Sequence, residues 1–305
     1  MDRFDAMAVL LQVVEDGSLS AAGRTLGVPL TTVSRKISDL EGHLGARLLV
    51  RSNRHITLTE AGQSYVAACK RILGQVAEAE MAASGAFSTA RGELTITAPL
   101  VFGRLHVLPV VAEFLQAYPD IDVRLALADR LLHLQDDHID AAFRIGALPD
   151  SGLKAIRLGS VRRVVCASPA YFSAHGTPRD PGDLIHHQCV TFTGLGSRDP
   201  TRWTLTVDGV EKTVPVRSRL AVDTAEAAID ASIAGLGLTR VLSYQIAAAS
   251  RAGLLEIALE PFEPAAAPVN LVFDGQGALP LKLRAFLDFA RPRLKDRLAA
   301  AAGKG

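Results

Sequence analysis

The sequence has few cysteines, little net charge and no long apolar run, and each shortage excludes a class of protein. Three cysteines in 305 residues, Cys69, Cys166 and Cys189, are too few and too scattered for a disulfide framework or a CxxC metal site. Lys and Arg total 33 against 32 Asp and Glu, so overall charge favours neither nucleic acid nor membrane as a partner. No uncharged apolar run reaches the roughly 18 residues of a membrane-spanning helix. Any basic surface must be local.

Targeting and catalytic signatures are lacking too. The first residues, MDRFDAMAVLL, carry acids where a signal peptide would be basic, and together with the scarce cysteines this predicts a cytoplasmic protein. GxSxG, HExxH and P-loop motifs are missing, and the GLG segments at Gly194 and Gly235 lack the third glycine of a dinucleotide fingerprint. The stretch from His186 to Cys189 is interpreted as surface polarity, because adjacent strand side chains point to opposite faces. We therefore expect no enzyme activity, no metal and no cofactor.

The first 60 residues have the pattern of short helices followed by a hairpin. A predicted first helix ends at Gly17, a second ends at Gly27, and Pro29 stands at the start of a third. The apolar stripe of the first helix is predicted to be Phe4, Met7, Leu11 and Val14. Two extended pieces, LLV and HIT, then flank the polar turn 51–54, which predicts a hairpin or wing.

The third helix has an apolar face and a polar face. The apolar face is predicted to consist of Val33, Ile37, Leu40 and Leu44. Thr31, Arg35 and Ser38 point the opposite way, with Thr32 and Ser34 flanking them. Short hydrogen-bonding side chains on an outward helix suit the DNA major groove, so the pattern favours a helix-turn-helix.

The charge of this region supports the same interpretation. From Arg24 to Arg54 there are six bases and two acids, a local charge of +4. The predicted DNA-binding residues are Thr31, Thr32, Ser34, Arg35, Lys36, Ser38, Arg51 and Arg54. The alternative is a small helical bundle with a solvated polar face. In that case Arg51 and Arg54 are solvated turn residues, and Ser34 bonds back to its own helix.

A long helix and an alternating region follow. Thr59 and Glu60 open a helix to about Ala83 whose apolar stripe needs a partner surface, and a second copy of the helix is the economical partner. Beyond Arg91, strands and helices alternate, which predicts an α/β domain of two lobes. Predicted strands are 94–98, 123–128, 139–145, 161–167, 190–193 and 269–273, with a hairpin turning at Asp208-Gly209. Predicted helices are 105–118, 224–234 and a last one from 280.

The N-terminal pattern resembles the winged helix-turn-helix of LysR-type transcriptional regulators. The residues that carry the resemblance are Ala21-Ala22, Gly27-Val28, Val33-Ser34-Arg35, Ile37, Leu40-Glu41, Leu44-Gly45 and Leu58-Thr59-Glu60-Ala61-Gly62. It extends over nearly the whole chain, with HVLPVVAEFLQAYPDIDVRL and CASPAYFSAHGTP at the expected places. At the head of the recognition helix many relatives carry Ser and Gln or a similar polar pair, whereas this chain has Pro29-Leu30. That departure shifts the predicted base contacts to Thr31, Thr32 and Arg35.

The resemblance implies a multidomain α+β and α/β fold. Residues 1–60 would form a winged helix-turn-helix, residues 61–90 a linker and dimerisation helix with a hinge, and residues 91–305 a two-lobed effector domain like that of periplasmic binding proteins. Lobe I would comprise about 91–161 plus 268–300, and lobe II about 162–267.

The resemblance also places a small-molecule effector of unknown identity in the cleft between the lobes. Free N–H groups at the helix after the first strand would suit a carboxylate. The predicted effector-binding residues are Pro99, Leu100, Val101, Phe102, Arg144, Phe192, Thr193, Asp223 and Thr224. A salt bridge is an open alternative for Arg144, and helix capping for Asp223 or Thr224.

The expected partners are double-stranded operator DNA, the effector, further copies of the chain in a dimer or tetramer, and RNA polymerase, with no membrane. An effector that prefers one lobe arrangement would change the spacing of paired recognition helices. The rival interpretation is a cytoplasmic small-molecule-binding or sequestering protein whose N-terminal helices only dimerise. Cys166 and Cys189 raise the hypothesis of a thiol switch, but apolar strands are typical of inert buried cysteine.

Overall fold

The structure is a computed structural model that describes residues 2–51, 56–83, 90–129, 134, 139–193, 199–275 and 279–302. It consists of two compact units, residues 1–89 and residues 90–305. In chain order the N-terminal unit contains α1 (Arg3–Asp16), α2 (Leu19–Leu26), α3 (Leu30–Leu44), β1 (Leu49–Arg51), β2 (Ile56–Leu58) and α4 (Glu60–Ala83).

The helix ends of the N-terminal unit follow local capping chemistry. The Asp2 carboxylate accepts the N–H of Phe4 at 3.0 Å, and the Ser18 hydroxyl accepts the N–H of Ala21 at 3.0 Å. α1, α2 and α3 each end at a glycine in the left-handed conformation. The predicted bounds of the long helix are confirmed, since α4 runs from Glu60 to Ala83.

The core of the N-terminal unit lies where α1, α3 and α4 meet. Its buried side chains are Ala6, Val9, Leu10, Val13, Ala22, Val33, Ile37, Leu40, Leu48, Leu49, Val66 and Cys69. Of the stripe predicted for α1, Met7, Leu11 and Val14 are partly buried and pack against this core, whereas Phe4 is 51% exposed, so the prediction is wrong for Phe4. Because α1 is apolar on several sides, spacing alone did not select the face that α3 covers. Leu44, predicted as buried, is 38% exposed at the end of α3.

The C-terminal unit alternates strands and helices. In chain order it contains β3 (Gly92–Ala98), α5 (Leu100–Phe102), a π-helical turn (Gly103–Val107), α6 (Leu108–Ala117), β4 (Ile121–Leu127), β5 (Ala141–Ile145), β6 (Lys154–Val161), β7 (Arg163–Ala167), α7 (Pro169–His175), a 3-10 helix (Pro181–His186), β8 (Gln188–Phe192), β9 (Arg202–Val207), β10 (Val210–Pro215), β11 (Arg217–Val222), α8 (Ala225–Ile233), β12 (Thr239–Leu242), α9 (Ser243–Arg251), β13 (Glu256–Ala258), a second 3-10 helix (Glu260–Phe262), β14 (Ala267–Phe273) and α10 (Leu281–Ala302).

Lobe I is built on one five-stranded sheet of order β4-β3-β5-β14-β6. β3 pairs in parallel with β4 and β5, whereas β14 pairs antiparallel with β5 and β6. The stretch Leu100–Ala117 is, among the described helices, long and apolar enough to cross a membrane by length and composition. Val101, Phe102, Val110 and Phe114 on this stretch are buried in the core of the lobe, which is the packing of a core helix.

The described residues of lobe II form three small sheets. β7 lies between β12 and β13, β8 pairs in parallel with β11, and β9 and β10 form a hairpin. The hairpin turns at Asp208 and Gly209, both with positive φ, as predicted from the Asp-Gly pair. Alternate residues of β7 enter two cores: Val165 and Ala167 face one, Val164 and Cys166 the other.

The chain passes from lobe I to lobe II at Arg162, between β6 and β7, and returns after the second 3-10 helix. The sequence predicted one strand across 161–167, but the structure breaks it at Arg162. The Arg162 guanidinium donates to Glu263 at 2.6 and 2.7 Å and to Glu260 at 2.7 Å. These hydrogen bonds raise the pKa of Arg162 above its ordinary value and join the outgoing and returning chain segments.

Candidate DNA-binding surface and effector site

α3 has one fully buried face and one exposed face. Val33, Ile37 and Leu40 are 0% exposed, which fixes the rotation of the helix about its axis. Thr31, Arg35 and Ser38 consequently lie on the exposed side, while Thr32 and Ser34 are partly buried beside it. Of the side chains predicted to contact base edges, Thr31 and Arg35 are exposed and Thr32 is partly buried, all on one helix.

Lys36 differs from Arg35 in its surroundings. Its Nζ atom lies 2.5 Å from the Asp5 carboxylate of α1, and the Lys36 side chain is 26% exposed. Arg35 is exposed and has no salt bridge among the residues that the structure describes. The ammonium of Lys36 thus helps to hold α3 on α1, and its contact with a phosphate requires exchange with Asp5.

The turn between α2 and α3 depends on a close backbone approach. A Cβ atom on Gly23 would lie 2.9 Å from the Val28 carbonyl oxygen, so the turn packs directly on the backbone of α2. Pro29 precedes the first residue of α3, and the Thr32 N–H donates to the Pro29 carbonyl at 2.9 Å. Leu30, at the head of α3, is 48% exposed. The sequence did not predict this exposure, because the spacing of Leu30 from Val33 also fits the buried face.

The wing is attached to α3 by a carboxylate. The Glu41 carboxylate accepts the backbone N–H of Leu48 at 2.7 Å and of Leu49 at 3.1 Å. β1 and β2 then pair antiparallel, with Leu49 opposite Leu58 and Arg51 opposite Ile56. The side chain of Arg51 and the whole of Arg54, both predicted phosphate contacts, lie outside the described residues.

The start of α4 packs against the segment between α3 and β1. The Thr59 hydroxyl donates to the Arg47 carbonyl at 2.7 Å and accepts the N–H of Gly62 at 2.9 Å. A Cβ atom on Gly62 would lie 2.0 Å from the Leu48 carbonyl oxygen, so only glycine fits there. Farther along α4, Ile72, Leu73 and Val76 are partly exposed apolar residues.

The predicted effector contacts at the start of the lobe I helix are already engaged in the fold. The N–H of Leu100 donates to the Asp129 carboxylate at 3.0 Å, so a resident carboxylate occupies this helix start. Pro99 is buried, and Val101 and Phe102 are 3% and 0% exposed in the lobe I core. Phe102 packs edge-on against Tyr244 of α9, with ring centroids 5.7 Å apart. These contacts give Val101 and Phe102 a structural role.

The other predicted effector residues are spread over both lobes. Arg144 lies on β5, is partly buried, and has its pKa lowered by burial. Thr193 and Asp223 are exposed at the ends of β8 and β11, where the Thr193 N–H donates to the Val222 carbonyl. The Thr224 hydroxyl accepts the N–H of Ala227 at 3.3 Å and caps α8, which favours the capping alternative.

Phe192, one of the residues predicted to bind the effector, lines a pocket in lobe II whose other lining residues were not predicted. The pocket is a shallow depression that is open to solvent, and its enclosed volume is about 20 Å³. Its lining residues are Arg163, Val190, Thr191, Phe192, Pro200, Trp203 and Arg240. Arg163 and Arg240 are far apart in the sequence and meet through strand pairing, so no local motif marks them.

Cys166, Cys189 and His187 belong to the core of lobe II. Cys166 and Cys189 are 0% exposed, and burial raises the pKa of each thiol to about 12. His186 is exposed, but His187 is 6% exposed and its Nδ1 lies 3.3 Å from the Tyr171 hydroxyl. The interpretation of this stretch as surface polarity is therefore wrong for His187. Within the described ranges, no group of three or more His, Cys, Asp or Glu side chains is arranged to hold a metal.

Comparison with known families explains this arrangement. Residues 4–63 match the family described as bacterial regulatory helix-turn-helix protein, lysR family, and residues 88–295 match the LysR substrate binding domain. The chain belongs to the LysR family. It is a DNA-binding transcriptional regulator with an effector-binding domain, and the predicted winged helix-turn-helix, linker helix and two-lobed α/β domain are confirmed.

Relatives of this LysR-type regulator span nearly the whole chain. An HTH-type transcriptional regulator of Xanthomonas campestris pv. campestris is 36% identical over 94% of this chain and 84% of its own length. The structure of CrgA, a LysR-type transcriptional regulator from Neisseria meningitidis, matches with a TM-score of 0.60 and 31% identity, over 95% of this chain and 98% of CrgA. The full-length structure of AphB, a Vibrio cholerae virulence activator, matches with a TM-score of 0.59 and 28% identity, over 94% and 97% of the two chains.

Proposed function

We propose that this LysR-type regulator reads its operator with the exposed face of α3. Thr31, Arg35 and Ser38 would contact base edges and phosphates, and Thr32 and Ser34 would contact the flanking backbone. The observation that carries the proposal is the complete burial of Val33, Ile37 and Leu40, which leaves this face available. Arg51 and Arg54 are proposed phosphate contacts of the wing.

The regulator is proposed to act as a dimer or tetramer in which α4 pairs with α4 of a second copy. Val66 and Cys69, near the start of α4, are buried in the core of the N-terminal unit. Ile72, Leu73 and Val76, farther along, remain partly exposed and would be covered by the second helix. A dimer presents two recognition helices, and a symmetric operator requires two.

The small-molecule effector is proposed to bind the C-terminal unit and to favour one arrangement of its lobes. A ligand shifts such an equilibrium only by its difference in affinity for the two arrangements. The response would reach the DNA through the spacing of the paired recognition helices. We further propose that the protein acts in the cytoplasm, contacts RNA polymerase when it regulates, needs no cofactor and has no catalytic activity.

The proposal is tested by fluorescence anisotropy with a labelled DNA fragment taken from upstream of the protein's own gene. Arg35→Ala should weaken binding by about tenfold or more. Arg284→Ala, which removes an exposed arginine of α10, is the charge-matched control and should leave affinity unchanged. A wild-type affinity no higher than that for an unrelated fragment, with no dependence on salt, would instead support a sequestering protein.

Dimerisation is tested separately. A Leu73→Lys variant should sediment as a smaller species than the wild type at the same concentration, because it places a charge on the partly exposed apolar face of α4. Substitution of the exposed Gln63 of α4 by Lys is the control and should leave the sedimentation coefficient unchanged. Equal coefficients for Leu73→Lys and wild type would exclude pairing through this face.

A further inference from the structure

Strand register brings two arginines to one face of the central lobe II sheet. β12 pairs antiparallel with β7, with Arg240 opposite Val165 and Leu242 opposite Arg163. Arg163 and Val165 are two residues apart and therefore share a face, so Arg163 and Arg240 are diagonal neighbours. Diagonal neighbours have Cα atoms about 7–8 Å apart, a distance that two long side chains can bridge.

In the part of the chain that the structure describes, the two guanidinium groups lack an acidic partner. Among the residues that the structure describes, neither Arg163 nor Arg240 has a carboxylate within the 4.0 Å of a salt bridge. Arg240 donates one N–H to the Thr204 carbonyl at 2.8 Å, and its guanidinium carbon lies 5.8 Å from the centre of the Trp203 ring. Arg162, next to Arg163 in the chain, is by contrast bound to both Glu260 and Glu263.

Burial makes this arrangement electrostatically unfavourable. Burial lowers the pKa of Arg163, and burial together with the nearby Arg163 lowers the pKa of Arg240 to about 10. Both shifts mean that the charged forms are less stable here than in water. Two like charges in such a place repel each other, and an anion placed between them removes the repulsion.

Apolar side chains form part of the wall beside the pair, although the accessible surface of the pocket is more polar than apolar. Val190, Phe192, Pro200 and Trp203 line the same pocket as the two arginines. The hydroxyl of Thr191, the remaining lining residue, is already engaged with the Ser218 hydroxyl at 2.7 Å. Two cationic donors beside apolar walls match a ligand with one anionic end and an apolar body.

We propose that the Arg163–Arg240 pocket binds a small carboxylate whose apolar body lies along Phe192 and Trp203. The proposal rests on the function proposed above, in that the C-terminal unit binds the effector, and it assigns the chemical class of that effector. Guanidinium groups present paired N–H donors that fit both oxygens of a carboxylate. A neutral amide of the same shape provides one acceptor oxygen and no charge, so it would be bound much more weakly.

The only tryptophan of the sequence reports on this pocket directly. Trp203 lies beside Arg240. Its fluorescence, excited selectively, therefore reports ligand binding in this pocket without an added label. Full-length protein is titrated with benzoate, phenylacetate and butyrate, and in parallel with the three corresponding amides. We expect saturable fluorescence changes with at least one carboxylate and at least a tenfold weaker response to its amide.

Variants locate the site. Arg163→Gln and Arg240→Gln should each weaken carboxylate binding about tenfold to hundredfold, because each removes a charge-assisted hydrogen bond. Arg284→Gln, at an exposed arginine of α10, is the matched control and should bind as the wild type does. Thermal melting without ligand serves as the folding check, and Arg163→Gln should melt no lower than the wild type, since it relieves repulsion.

Several results would overturn the assignment. They are the lack of a response to all three carboxylates, equal responses to carboxylates and amides, or wild-type affinity in a folded Arg163→Gln protein. These outcomes are independent of DNA binding by the wild type. Saturable carboxylate binding in a protein that shows no preference for any DNA fragment would overturn the proposed operator binding and leave this pocket intact.

Discussion

The carboxylate of Glu41, on the recognition helix, accepts the backbone N–H of Leu48, at the base of the wing, at 2.7 Å. A second bond to the N–H of Leu49 makes this one side chain the acceptor for two successive backbone donors. Leu48 and Leu49 are almost fully buried, so water does not readily replace the carboxylate. The position of the wing relative to α3 therefore depends on Glu41.

Removal of this carboxylate should destabilise the N-terminal unit. In Glu41→Ala two N–H groups lose a charged acceptor, and we expect the free energy of unfolding to fall by about 2–3 kcal/mol. Urea unfolding followed by circular dichroism measures the change. Glu15→Ala, at an exposed position of α1, is the control. Superimposable unfolding curves for Glu41→Ala and Glu15→Ala would contradict the role assigned to Glu41.

Gly62 should not tolerate even a methyl group. An added Cβ would overlap the Leu48 carbonyl oxygen at 2.0 Å, and neither backbone can move without disturbing the start of α4. Gly62→Ala should therefore lower the melting temperature, at a cost of about 2 kcal/mol or more. Gly42→Ala is the matched control, because Gly42 is an exposed residue of α3 with no atom within 4 Å of an added Cβ. It should raise stability by up to about 1 kcal/mol, because alanine has the higher helix propensity.

Arg35 and Lys36 should differ in their effect on DNA binding although they are adjacent. The exposed Arg35 side chain can bind a DNA phosphate and displace its counterion, whereas Lys36 is paired with Asp5. Arg35→Ala should reduce the slope of log affinity against log salt by about 1, and Lys36→Ala should reduce it by less. Anisotropy titrations at several salt concentrations measure both slopes. A larger loss of slope in Lys36→Ala than in Arg35→Ala would show that the ammonium leaves Asp5 on the operator.

The buried thiols of lobe II predict a pH dependence of stability. Burial raises the pKa of Cys166 and Cys189 from 9.0 to about 12. Between these values the unfolded chain has lost thiol protons that the folded chain keeps, so this contribution to stability is complete below about pH 9 and falls as pH rises towards 12. The loss of unfolding free energy from pH 8 to pH 10 should be smaller in a Cys166→Ala, Cys189→Ala double variant than in the wild type.

The same burial predicts slow chemical modification. Iodoacetamide at pH 8 should label neither Cys166 nor Cys189 in the native protein, since the thiolate is both scarce and covered. In denaturant all three cysteines of the sequence should react, and this serves as the control. Rapid labelling of either residue under native conditions would favour the thiol-switch hypothesis.

Local sequence motifs made parts of the N-terminal unit and one hairpin of lobe II predictable. Thr59 and Glu60 fixed the start of α4, and the period of Val33, Ile37 and Leu40 identified the outward face of α3. Asp208-Gly209 located a hairpin because few other residue pairs adopt two positive φ values. Wherever a short motif decides the conformation, the sequence and the structure agree.

Contacts between distant segments account for what the sequence did not predict. The exposure of Phe4 on α1 depends on where the other helices lie, which spacing within α1 does not encode. The helix predicted from 105 begins at Leu100, where the Asp129 carboxylate accepts the first N–H. Arg163 and Arg240 become neighbours only through the register of β7 with β12, so no local motif marked the two arginines as part of a site.

The bonds from Arg162 to Glu260 and Glu263 have a mechanical consequence. The outgoing and returning segments between the lobes are fastened at one guanidinium, and none of the described sheets contains strands from both lobes. Movements near such a pivot are small, while the far ends of the lobes travel farthest. If the effector acts as proposed, a slight rearrangement beside Arg163 would therefore become a larger displacement at the far ends of the lobes.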